Sequence, residues 1–133
     1  DSINEYKRLI SELNIEDSVE IVGFKENPYP YIANADIFVL SSDHEGLPTV
    51  ICEAMTLGKC IISTACSGAI ELIGNNEYGI LCECGNEYMI KNSIKKVLED
   101  RVLLDKLEKK SYEKSKVFNK TNVLAELDTL INS

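Results

Sequence analysis

Histidine is nearly absent from this chain of 133 residues, with His44 the single example. A metal site takes about four side-chain ligands, so the lone C-x-C of Cys82 and Cys84 has too few partners, and no metal or other cofactor is expected. The five cysteines are odd in number and irregular in spacing. They do not form a disulfide framework, and no secretory segment precedes them, which makes a reducing cytoplasm the expected setting. Long apolar runs are missing as well. Aliphatic stretches such as residues 37–40 fall far short of the roughly 20 residues that cross a bilayer.

Positive charge is scarce. Lys and Arg number 14 against 22 Asp and Glu, a net charge of −8, which opposes long-range attraction to phosphate backbones and anionic lipid. No nucleic-acid partner is expected. The local exception is Lys106, Lys109, Lys110, Lys114, Lys116 and Lys120, interleaved with only Glu108 and Glu113. This run reads as a solvated helix face, with a membrane or acceptor contact as the alternative. Apolar residues at 44% and charged residues at 27% suit a globular core, and 133 residues suit one domain, since single cores serve roughly 100–200 residues.

Ile3, Tyr6, Leu9, Ile10 and Leu13 recur at helical spacing, and Val19-Glu20-Ile21-Val22 then alternates like a strand. Residues 23–30 form a loop, 31–35 a short helix, and 36–40 a continuous apolar run of the kind buried on both faces of a parallel sheet. After a turn over residues 41–48, a helix over 49–57 stops at Gly58. A buried strand at 60–63, a helix over 69–73, a turn at Asn75-Asn76 and a strand over 78–82 follow. From Asn86 the pattern is helical, over 87–98, 102–117 and 122–131. Strands alternating with helices predict an α/β, Rossmann-like parallel sheet with flanking helices, doubly wound, with ligands at the strands' C-terminal ends. The chain opens inside a helix and shows only about four strands, so the expectation is a single domain over 1–133 that lacks its first strand or strands and ends in C-terminal helices over 99–133.

The turn after the 36–40 strand is where this fold binds ligands. Gly46 allows close backbone approach, Pro48 suits the first turn of the next helix, and that helix's free N–H groups favour an anion such as a diphosphate. Glu45 precedes the helix and Glu53 lies eight residues on, about 12 Å of helical rise, so the two carboxylates would grip different parts of one ligand. Carboxylates accept paired hydrogen bonds from neighbouring hydroxyls, which suggests a sugar at each end of a phosphate site. Spacing alone leaves open the alternative that these acids are helix caps or exposed surface groups.

The segment Glu45-Gly46-Leu47-Pro48, then Glu53-Ala54-Met55, then Gly58 resembles the E-x7-E signature of the retaining GT-B glycosyltransferases called family 4, or the glycogen-synthase-like group. The likeness runs from about Asn14 to Leu98. Val19-Glu20-Ile21-Val22-Gly23-Phe24, residues 31–41, Ser67-Gly68-Ala69-Ile70-Glu71-Leu72-Ile73 and Gly79-Ile80-Leu81 resemble the family's other motifs, in order, on either side of it. The resemblance implies the donor-binding, C-terminal domain of such an enzyme, a hexosyltransferase using a nucleoside diphosphate sugar in polysaccharide biosynthesis.

By that likeness Glu45 is the catalytic residue, contacting the transferred sugar and its oxocarbenium-like centre. Gly46, Leu47, Pro48, Thr49 and Val50 meet sugar and phosphates, Glu53 holds the ribose, and Gly23, Phe24 and Lys25 lie along the base. Transfer is with retention, without metal, to a saccharide or lipid-linked acceptor held with an N-terminal GT-B domain, in the cytoplasm or peripherally at the inner face of the membrane. The family's Arg and Lys that clamp the diphosphate come from a strand-loop before Asp1, and neither His44 nor Lys25 replaces them, so residues 1–133 alone are expected to be inactive. Ser67-Gly68 stands where Gly-Gly is usual, and a helix cap by Ser67 is the simpler reading. Phe118 matches the place where the last helix returns towards the N-terminal domain, or packs as an ordinary hydrophobe. A non-catalytic nucleotide-sugar-binding scaffold and a GT-B epimerase are the alternatives.

Overall fold

A computed structural model of the chain describes residues 2–23, 25–41 and 49–118. In chain order these form α1 (Ser2–Glu12), α2 (Tyr29–Ala33), β1 (Ile37–Leu40), α3 (Thr49–Thr56), β2 (Cys60–Thr64), α4 (Ser67–Ile73), β3 (Ile80–Cys82), α5 (Glu87–Glu99) and α6 (Arg101–Phe118). The three strands make one parallel sheet in the order β1-β2-β3, with Ile37 opposite Cys60 and Ile62 opposite Ile80. This is the expected α/β class. The helix expected over 122–131 lies outside the described residues.

The middle strand β2 is buried along its whole length because its alternating side chains serve two cores. Ile61 points to α3 and α4, where it meets Ile51, Met55 and Ile73. Cys60 and Ile62 point the other way, to Val97 of α5 and Leu104 and Leu107 of α6. Helices thus cover both faces. Each fully buried Ile contributes about 1.5–3 kcal/mol through removal from water. α6 packs on β2 and also on α3.

Local chemistry sets the element ends. Gly58, at φ +69°, closes α3: its N–H donates to Met55 O at 2.9 Å and Lys59 N–H to Ala54 O at 3.0 Å, the pairing by which a left-handed residue satisfies a helix's last carbonyls. Asn86 caps α5, its Oδ1 accepting from Met89 N–H at 3.0 Å. Asn76 Oδ1 accepts from Leu81 N–H at 2.7 Å, tying the turn before β3 to that strand. Lys59 Nζ donates to Ala35 O at 3.0 Å, pinning the approach to β1 against the end of α3.

Three expectations need correction. Residues 19–22 are not a strand: they join no ladder and are largely exposed, because among the described residues no neighbouring strand reaches them. β1 is not buried on both faces, since Val39 remains 39% exposed; it is an edge of the described sheet, with one strand partner instead of two. Ser67 does not cap α4. The N-cap position belongs to Cys66, with no side-chain cap, and Ser67 is the first helical residue. The basic run on α6 is a solvated face: Lys110 pairs with Glu113 at 3.9 Å, and Lys114 and Lys116 lie over the rings of Tyr78 and Tyr112 at 5.1 and 5.2 Å. Lys120 falls outside the described residues.

Candidate functional site

Because all three strands run in one direction, their C-terminal ends at Leu40, Thr64 and Cys82 share one edge of the sheet. Three strand-to-helix connections leave from that edge. The second is tied to the third strand by Ala65 N–H, which donates to Cys82 O at 2.8 Å. In the third, Glu83 N–H meets Met89 Sδ at 3.3 Å and Asn86 Nδ2 donates to Glu83 Oε2 at 3.3 Å. The edge is therefore held by backbone and short side-chain bonds, a firm base for a ligand.

The first connection leads into α3. Thr49 and Val50 are its first two residues, half-buried, and Glu53 follows one turn later, a rise of about 6 Å. Ile51, Cys52, Ala54 and Met55 are buried and hold the helix against the sheet. Glu53 is what remains on the accessible side of this turn. Its carboxyl is half-buried and held above the ordinary carboxylate range, the cause being burial. Among the described residues no cation or hydrogen-bond donor is paired with its side chain. A half-buried acid without a partner among the described residues has acceptor capacity to offer, the requirement for holding an external pair of hydroxyls.

Glu45, Gly46, Leu47 and Pro48 lie outside the described residues, as does Phe24. Gly23 and Lys25 belong to the exposed connection before α2, and the Lys25 ammonium sits 5.9 Å from the Tyr31 ring centre. The structure thus places Thr49, Val50 and Glu53 on one helix entering from the sheet edge, with Gly23 and Lys25 on a separate segment.

The cysteines divide by depth. Cys52, Cys60, Cys66 and Cys82 are buried and Cys84 is exposed, all five free. Burial, helped by the nearby Glu53, pushes the Cys52 thiol up to about 11, and burial with Glu108 pushes Cys60 up to about 12. Protonated, inaccessible thiols are neither nucleophiles nor metal ligands; these are packing groups. Cys82 Sγ and Ser93 Oγ lie 3.5 Å apart.

Residues that position this edge without a signature in the sequence are Lys59 and Met89. Lys59 reaches a carbonyl 24 residues away, beyond any local pattern. Asn86 could have been read as a cap, since an Asn directly before a helical run is the usual signal.

A parallel sheet with helices on both faces defines a Rossmann-like α/β domain. Residues 2–114 match the family described as glycosyl transferases group 1, and the chain belongs to that family. It is 36% identical over 121 residues to the N-acetylgalactosamine-N,N'-diacetylbacillosaminyl-diphospho-undecaprenol 4-alpha-N-acetylgalactosaminyltransferase of Campylobacter jejuni, covering 90% of this chain and 33% of that protein. It is 27% identical over 106 residues to the lipopolysaccharide core biosynthesis glycosyltransferase LpsE of Rhizobium meliloti, covering 80% of this chain and 31% of the relative. Among solved structures, Anabaena Alr3699/HepE in complex with UDP-glucose matches with a TM-score of 0.80 at 24% identity, over 98% of this chain and 35% of that one. The chain spans about a third of the length of these relatives.

Proposed function

We propose that residues 1–133 are the donor-binding part of a retaining glycosyltransferase of the E-x7-E, family 4 type, which takes a nucleoside diphosphate sugar and passes its sugar to a saccharide or lipid-linked acceptor. The observation that carries this reading is Glu53: a half-buried carboxylate, unpaired among the described residues, one turn into a helix that rises from the ligand-binding edge of the sheet. It is suited to accept two hydrogen bonds from the vicinal hydroxyls of a ribose. The free N–H groups at the start of α3, with Thr49 and Val50, suit a diphosphate. By the family resemblance Glu45, eight residues upstream, is assigned to the transferred sugar, Gly46, Leu47 and Pro48 to the backbone around the sugar and phosphates, and Gly23, Phe24 and Lys25 to the base.

Rate acceleration in such a site rests on holding donor and acceptor together and on fixed dipoles that stabilise charge on the departing diphosphate. On this reading no divalent metal takes part in the reaction, so chelation with EDTA should leave nucleotide affinity unchanged. The Campylobacter relative is named for transfer of N-acetylgalactosamine to a diphospho-undecaprenol acceptor, and the Anabaena neighbour was solved with UDP-glucose. These support a UDP-activated hexose or N-acetylhexosamine as donor, and a lipid-linked acceptor. Titration calorimetry of UDP into the full-length protein is the direct test. Micromolar binding that Glu45→Ala leaves intact while abolishing transfer supports the assignment; absence of UDP, GDP and ADP binding removes it.

A further inference from the structure

The short helix α2 carries an aromatic ring that its own packing leaves free. Ile32 turns inward, against the core cluster that Ile51 and Met55 of α3 build with β2 and α4, so α2 lies on the same face of the sheet as α3. Tyr31, one residue earlier and therefore about 100° round the helix, is 49% exposed. The backbone under the ring is stiff. Pro28 and Pro30 fix two φ angles at the start of α2, Asn27 Oδ1 accepts from Tyr29 N–H at 3.2 Å, and Asn34 Nδ2 donates to Pro30 O at 2.7 Å. A flat surface held in this way loses little conformational freedom when a planar ligand covers it.

Lys25 stands beside that ring. It follows closely on Gly23, which sits at φ +68° with nothing near the place of a Cβ, and its ammonium lies 5.9 Å from the Tyr31 ring centre. That is the outer limit of a cation–π contact, roughly 6 Å. The pair is loose enough for a flat group to cover the ring and leave the ammonium at its edge, and among the described residues no carboxylate is paired with Lys25. Glu53 sets the distance scale. Helices packed side by side on one face of a sheet lie about 8–10 Å apart, which is within the reach of a nucleoside whose ribose is held on α3 and whose base extends towards α2.

We propose that Tyr31 and Lys25 form the base platform of the nucleotide site: the Tyr31 ring stacks against the base and the Lys25 ammonium donates to a base carbonyl, selecting an oxo-base, uracil or guanine, over adenine. Stacking alone is indifferent to identity because every base has a π-face. Discrimination falls to Lys25, which has three donors and no acceptor. Uracil O4 and guanine O6 accept from it, whereas adenine presents an amino donor at the corresponding position. The platform rests on the nucleotide reading above and deepens it, adding Tyr31 to the residues that meet the base and giving Lys25 a side-chain role.

The test is calorimetric titration of UDP, GDP and ADP into the full-length protein and its Tyr31→Ala, Tyr31→Phe and Lys25→Met variants. The wild type should bind UDP or GDP at least about tenfold more tightly than ADP. Tyr31→Ala should weaken the preferred nucleotide by at least about fivefold, the low end of base stacking on an aromatic ring, and Tyr31→Phe, which keeps the ring, should stay within about twofold of wild type. Lys25→Met should reduce the preference over ADP to less than about threefold, a change of ratio that general damage to the fold does not produce. Whichever of UDP and GDP binds more tightly identifies the base. Wild-type affinity in Tyr31→Ala overturns the platform, as does an equal loss in Tyr31→Phe, an unchanged preference in Lys25→Met, or a wild type that prefers ADP. Absence of binding by all three nucleotides in the wild type is a separate result, which removes the nucleotide reading itself and the platform with it.

Discussion

Replacing Glu53 separates the two consequences of burying an acid beside a ligand site. In the free protein the carboxyl is held above its ordinary range by burial alone, so its ionised form is a cost to the fold. The folded state binds the proton more tightly than the unfolded one. Stability from this group is therefore greatest at low pH and is lost as pH rises from the ordinary carboxylate value of 4.5 through the raised one. Glu53→Gln should then be at least as stable as wild type at pH 7, with a flatter stability profile between pH 4 and 7. Binding goes the other way. Hydrogen bonds to a charged acceptor contribute about 1.5–3 kcal/mol, and tenfold in affinity is about 1.4 kcal/mol, so Glu53→Ala should weaken UDP by roughly 10- to 100-fold. Glu53→Gln, which keeps one acceptor, should lie between. Ala is the best helix former, so α3 itself gains no propensity penalty. Calorimetric titration of UDP and urea denaturation at pH 4.5 and 7 read the two quantities separately. Equal UDP affinity in wild type and Glu53→Ala would refute the ribose assignment.

Four further expectations concern the frame that presents this helix. Gly79→Ala places a Cβ 2.8 Å from Ile61 O and 3.4 Å from Ile73 Cγ1, so the loop before β3 must move; a loss of about 1–3 kcal/mol is expected from urea midpoints. At Gly58 there is room, with Tyr112 Cβ 3.9 Å away, but Gly58→Ala still costs about 1–2 kcal/mol because φ is positive, and Gly58→Asn should recover part of it. Asn86→Ala removes the cap to Met89 N–H and should lower stability by about 1 kcal/mol, visible as faster amide exchange in the first turn of α5. Within these residues a thiol reagent at pH 7.5 should modify Cys84 alone in the native state, with Cys52 and Cys60 joining only on unfolding, since burial raises their thiols to about 11 and 12; mass spectrometry of the labelled peptides decides this.

Much of this architecture could be read from the order of residues because parallel α/β units write themselves locally. Apolar runs such as Cys60-Ile61-Ile62 are recognisable as strands, and glycines such as Gly58 stop helices through their own backbone freedom. The E-x7-E spacing, too, is a local pattern, and it set Glu53 apart before any coordinates did. Partnership is not local. Residues 19–22 have every property of a strand except a neighbour among the described residues, and Val39 sits in a run that reads as buried yet is exposed, because a strand's hydrogen bonds and burial are supplied by whatever lies beside it. Ser67 looks like a cap in sequence, but the helix starts one residue earlier relative to it and makes it N1.

The sequence by itself determined the fold class and the alternation of helix and strand, since both follow from short-range periodicity and side-chain chemistry, and its resemblance to a known family made Glu53 a candidate. Tertiary structure alone decided that Glu53 is half-buried without a partner among the described residues, that four of the five thiols are sealed in two cores, and that β1 is an edge of the described sheet. Those properties depend on which surfaces meet, and chains of contacts such as Lys59 to Ala35 exist only once the elements are packed.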